Sequence, residues 1–144
     1  MTNPSKKALD HLAVPQALNH FLHAAMVLEV KPKTDMFKVQ NIEGVPEHVF
    51  FTDFLGSRDE KVHNPITGSW FRIERGPPST PPKYEYDEVG VVFEGTITLE
   101  DEAGAKATLA AGQTFVIHRG STIAFSSSDY GIAFKCGSRL MART

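Results

Sequence analysis

The chain has 144 residues, enough for one domain with a proper core, and its net charge of −2 with a pI near 6.3 disfavours nucleic acid or anionic membrane as the main partner. No apolar run approaches the length of a membrane span, and the polar N-terminus with Lys6 and Lys7 is unlike a signal peptide. Cys136 is the single cysteine, which excludes an internal disulfide and fits a reducing, cytoplasmic setting.

Residues 1–35 read as an N-terminal helical extension. Pro15 can open a helix, and Leu18, Phe21, Leu22, Ala25 and Met26 follow at helical spacing until Lys31-Pro32-Lys33 stops it. From residue 36 onward the pattern is that of short strands. Phe37 and Val39 alternate with Lys38 and Gln40, residues 49–51 and 69–73 are further strand candidates, and a polar loop spans 56–68. Strands are then predicted over 89–93 and 96–99 on either side of Gly95, over 105–109 after a turn at 101–104, and over 114–117, 122–125 and 130–136. Many short strands with little helix predict an antiparallel jelly roll over 36–144. Unpaired sheet edges in so small a barrel favour a homodimer.

Two tracts carry the functional signal. In GPPSTPPKYEYDEVGVVFEG, Gly76, Pro82, Tyr84, Glu88 and Gly95 keep the spacing glycine, five residues, His-x-His, three residues, Glu, six residues, glycine. In GQTFVIHRGSTIAF, Gly112, His118, Gly120 and Ile123 keep the spacing of a second motif that ends in histidine. These spacings resemble the two motifs of the cupins, and Tyr84-Glu85-Tyr86-Asp87-Glu88 with Phe93-Glu94-Gly95 resembles the ethanolamine-utilisation Q-type cupins, as does Tyr130 to Gly137 their small fungal members. The resemblance implies an all-β cupin barrel. It also implies that proline, tyrosine and isoleucine stand at three of the four metal-ligand positions, so that no metal and no cofactor is expected. From the fungal members it implies a tailoring step on a small oxygenated molecule, of the kind used in secondary metabolism. A phosphate-transfer role finds no support, because no GxxxxGK[ST] loop is present.

Glu88 is the first candidate for catalysis. Pointing into the barrel, it would have its pKa raised by burial and would suit acid–base work; the alternative is a buried carboxylate satisfied by Tyr84 or a backbone amide. Tyr84 stands at the place of the second histidine, its hydroxyl available to a substrate oxygen, and Tyr86 shares its parity. His118 replaces a turn proline near the mouth and could exchange protons with Glu88, or simply be an exposed turn residue. Trp70 and Arg72 share one face of an early strand. If that face is inward, they are a stacking wall and an anion clamp for substrate; if outward, they belong to the surface. Cys136 groups with Ile132 and Phe134 on what reads as the core face, with Lys135 opposite. The chemistry these residues allow is a metal-independent isomerisation, dehydration, cyclisation or lyase step, or else ligand binding without turnover.

Overall fold

A computed structural model describes residues 28–142, so the helix expected from Pro15 to Met26 lies outside the described residues. The chain divides into two compact units, Met1–Val30 and Lys31–Thr144, and the second holds the whole barrel. The pairing Phe37/Val39 does not form a strand. Lys33–Phe37 is a 3-10 turn that buries Asp35 and Met36, and Phe37 is exposed. Pro32 sets the turn going, and Asp35 holds Lys38 by an ion pair of 2.9 Å.

Seven strands follow: β1 Val49–Gly56, β2 Thr67–Glu74, β3 Glu88–Asp101, β4 Lys106–Ala110, β5 Thr114–Ile117, β6 Ile123–Ser126 and β7 Tyr130–Gly137. All pairings are antiparallel, in the order β1-β2-β7-β3-β4, with β5 and β6 also on β3. The long β3 belongs to both layers of the jelly roll. Its first half lies between β7 and β5 in one sheet, and its second half between β4 and β6 in the other. A bulge between Val92 and Glu94 bends it at the corner, where Gly95 has φ +70° and lies against the Tyr130 carbonyl so closely that any Cβ would collide with it. The two short strands expected around Gly95 are therefore one strand turning between sheets.

Strand alternation sends Val49, Phe71, Ile73, Val92 and Ala133 inward from one sheet, against Ile97, Leu109, Ile123 and Phe125 of the other. The register also grades this inner face along its length. Val49 pairs with Ile73, then Phe51 with Phe71, then Asp53 with Ser69; on β7 the inward positions run Ala133, Lys135, Gly137, and on β3 they run Val92, Gly90, Glu88. One end of the barrel is thus packed with hydrocarbon and the other carries charge. Among the described residues no helix is long and apolar enough to cross a membrane.

Candidate functional site

A cavity of about 570 Å³ opens over the inner face from Val49 to Lys135, a size suited to a small organic ligand. Its floor is made by Phe51, Phe71, Phe125 and Lys135; Ile42, Gly44, Val45 and Pro46 form one wall and Ser79 to Tyr86 another. The second wall is held in place by backbone bonds. Ser79 exchanges two with Phe125 at 2.8 Å, and Tyr84 exchanges two with the turn after β5, donating to Ser121 O at 2.9 Å and accepting from Gly120 N–H at 2.7 Å. A loop tied at both ends in this way presents Tyr84 and Tyr86 to the cavity as fixed rings, 5.4 Å apart and edge to face.

The chemistry centres on Lys135, whose position on β7 runs against the apolar pattern of that strand. Of the expected core set Ile132, Phe134 and Cys136, Ile132 is buried but Phe134 and Cys136 are only half-buried, and β7 turns Gly131, Ala133, Lys135 and Gly137 into the barrel instead. The opposite, outer face is itself apolar, because Trp70 packs edge to face on Phe93 at 5.5 Å and on Phe134 at 5.1 Å. Hydrophobicity alone therefore does not tell the two sides of β7 apart. Lys135 extends its ammonium among three rings, 5.0 Å from the centre of Phe51, 4.7 Å from Phe71 and 5.2 Å from Phe125. Its Nζ lies 3.2 Å from Glu88 Oε1, and the two side chains are 6% and 2% exposed. Burial pulls the Lys135 amine below the ordinary lysine value, and the Glu88 carboxylate works against that pull.

Glu88 sits behind this amine rather than in the cavity wall. Tyr84 donates its hydroxyl to the same Oε1 at 3.1 Å, which fixes the carboxylate from the other side. Across the sheet from Glu88 stands Gly137, where a Cβ would come within 2.8 Å of the Tyr86 ring and 3.5 Å of Glu88 Oε2. The missing side chain is what lets both groups pack there. Burial first, and the neighbouring Glu88 second, push both Tyr84 and Tyr86 above the usual phenol value, so both rings keep their protons, and Tyr84 uses its own as a donor to Glu88.

A second ion pair closes the same end. Arg139 grips Asp53 with two bonds of 2.7 Å, while Ser69 Oγ and Ala142 N–H also donate to that carboxylate, at 2.7 and 2.9 Å. Burial alone would raise the Asp53 pKa, but these donors outweigh it and hold the carboxyl below its ordinary value. The Arg139 guanidinium also lies 5.4 Å from the centre of Tyr86.

Three expected site residues stand elsewhere. Trp70 and Arg72 face outward on β2, because the alternation that buries Phe71 and Ile73 turns their neighbours away from the barrel; Arg72 pairs with Glu74 at 3.1 Å and lies over Tyr130. His118 is 78% exposed on the turn after β5, 3.9 Å from Asp87, and does not line the cavity. The structure brings together Glu88, Tyr84 and Tyr86 and adds Lys135, Phe51, Phe71 and Phe125. The signal for Lys135 was a lysine alone in the otherwise uncharged run Tyr130 to Gly137.

The fold is that of a cupin barrel. The chain resembles the putative ethanolamine utilization protein Q of Salmonella typhimurium LT2, with a TM-score of 0.59 and 20% identity over 69% of this chain and 77% of that one. The EutQ protein of Clostridium difficile aligns with a TM-score of 0.51 and 20% identity, covering 62% of this chain and 67% of that one. KdgF from Halomonas sp. gives 0.53 and 21%, covering 70% and 87%. No family model and no curated protein matches the sequence.

Metal-binding cupins would use the four motif positions as ligands, and here the donors do not fit. Pro82 and Ile123 offer no lone pair, the Tyr84 phenol is held protonated, and the remaining carboxylate already faces an ammonium. Among the described residues no group of three or more His, Cys, Asp or Glu side chains converges on one point. The positive charge opposite Glu88 belongs to Lys135.

Proposed function

We propose that this barrel is a metal-independent enzyme that moves a proton on a small oxygenated organic molecule, with Lys135 as the group that meets the substrate. The observation that supports this reading most strongly is the double placement of one amine. Lys135 lines an apolar cavity and at the same time touches a carboxylate that the cavity does not reach. An amine desolvated by three aromatic rings is drawn toward its neutral form, which can take a proton from a carbon acid. Glu88 then faces the ammonium that forms, and Tyr84 keeps the carboxylate in register. Glu88 is a positioning residue in this scheme, not the base itself.

Deuterium exchange into phenylacetone, followed by NMR in D2O, tests the reading. Wild-type protein is expected to accelerate exchange of the protons next to the carbonyl. Lys135→Arg keeps the charge beside Glu88 but cannot give up its proton near neutrality, so it should lose roughly 10²-fold or more of that rate. Equal rates in the two proteins would leave the cavity a binding site without turnover.

A further inference from the structure

We propose that Lys135 captures the carbonyl carbon of an aldehyde or ketone as an imine inside the cavity. This rests on the proton-transfer reading above and names the substrate class for it. A primary amine becomes a nucleophile at neutral pH when it is desolvated and a neighbouring group can hold its proton. Both conditions are present. Phe51, Phe71 and Phe125 surround Nζ, and Glu88 Oε1 lies 3.2 Å away. Tyr84, Tyr86, Val45, Pro46 and Pro82 line the same cavity and, with Ser79, Thr80, Lys83 and Glu85 as its polar part, leave it mainly apolar, which suits a carbonyl compound with an apolar body.

The step balances without any further reactant. The Lys135 ammonium passes a proton to Glu88, and its lone pair attacks the carbonyl carbon. A C–N bond forms, the carbonyl oxygen takes a proton from that nitrogen, and Glu88 returns the first proton to the nitrogen. The carbinolamine then expels that oxygen as water, which carries away a second proton from nitrogen, and a C=N bond remains as the protonated imine. Ammonium and carbonyl give iminium and water, with nothing oxidised or reduced. The positive charge at nitrogen is the same before and after the step, among the three rings and opposite Glu88, so the cage favours product and reactant alike. Once formed, the iminium withdraws electrons from the adjacent carbon, which is how an amine base can acidify the proton it is to move.

Lys83 provides an internal comparison. It lines the same cavity at the rim but is exposed. The full chain is treated at neutral pH with benzaldehyde and sodium cyanoborohydride, which reduces imines to stable amines, and modified lysines are mapped by peptide mass spectrometry. Lys135 is expected to be modified well before Lys83, and Lys135→Arg is expected to lose that adduct while Lys83 labels as before. Formaldehyde is run beside benzaldehyde because it is small enough to reach any amine that opens to the cavity. Modification of Lys83 ahead of Lys135 with both aldehydes overturns the imine. If exchange into phenylacetone survives that result, the amine acts as a simple base; if exchange is absent too, the proton-transfer reading falls with it.

Discussion

Lys135–Glu88, buried, and Arg139–Asp53, half-buried, lie at the same end of one sheet, yet their cations keep different company. Arg139 meets a carboxylate that also receives Ser69 Oγ and Ala142 N–H, all at 2.7 to 2.9 Å, so Asp53 is held from several directions. Lys135 has one carboxylate at 3.2 Å and aromatic faces otherwise, with the cavity above it. A guanidinium stays charged whatever its surroundings, whereas a lysine amine responds to desolvation by giving up its proton more readily. The first pair is built to tie the C-terminal segment to β1 and β2. The second keeps a titratable group in a place where it can react.

Breaking each pair should separate the two roles. The largest expected effect is from Lys135→Met, which leaves Glu88 buried without its cation and should cost about 3–5 kcal/mol in urea unfolding. The double change Lys135→Met with Glu88→Gln removes both charges and should recover most of that loss, while exchange activity stays absent. If single and double variants unfold alike, the pair is not coupled as described. Arg139→Ala should cost less, about 1–3 kcal/mol, because Ser69 and Ala142 still donate to Asp53. Aldehyde labelling at Lys135 should survive it, and loss of that labelling would show that the two pairs are not independent.

The pairs should also respond to opposite ends of the pH scale. Asp53 is held below its ordinary value of 3.8, so its stabilisation is present above that pH and is lost as pH falls through the folded value. Lys135 is pulled below its ordinary 10.5, so between its folded value and 10.5 the unfolded chain binds more protons. Stability should therefore rise with pH across that window as the cost of burying the cation is relieved. Melting temperatures of wild type and of the Lys135→Met/Glu88→Gln double variant, compared from neutral to alkaline pH, check this: the rise should be present in the first and absent in the second.

The smallest effect concerns Tyr84→Phe. An open, wet pocket would make this substitution nearly free, but the hydroxyl donates to Glu88 at 3.1 Å and the residue is 6% exposed. A loss of about 1 kcal/mol is expected. No change in the unfolding midpoint would mean that water replaces the hydroxyl and that Glu88 is more open than its surroundings indicate.

Much of the fold was legible because motif spacing is a record of backbone geometry. Gly95 and Gly120 sit at positive φ, and the strands between such points fall where alternation placed them. Glu88 and Tyr84 were legible for the same reason, since their separation puts a loop residue over the first residue of β3. Lys135 was not. Reading a strand by hydrophobicity presumes a polar outer face, and β7 instead presents Phe134 outward beside Trp70 and hides a lysine inward between Ala133 and Gly137. Trp70 and Arg72 were open to either face for the same reason: alternation gives parity, and only the partner strands say which side is the barrel.

The central claim is that Lys135 is a reactive amine and not merely a counter-ion. Its own titration tests that most directly. Lysines labelled with 13C at the ε-carbon and followed by NMR across neutral to alkaline pH, with Lys135→Arg to assign the signal, report each amine separately. Lys135 is expected to titrate below every exposed lysine, with an ε-carbon shift typical of an apolar, ring-shielded site. A Lys135 signal that titrates with the surface lysines, or above them, would make the ion pair with Glu88 a structural fixture and contradict the account.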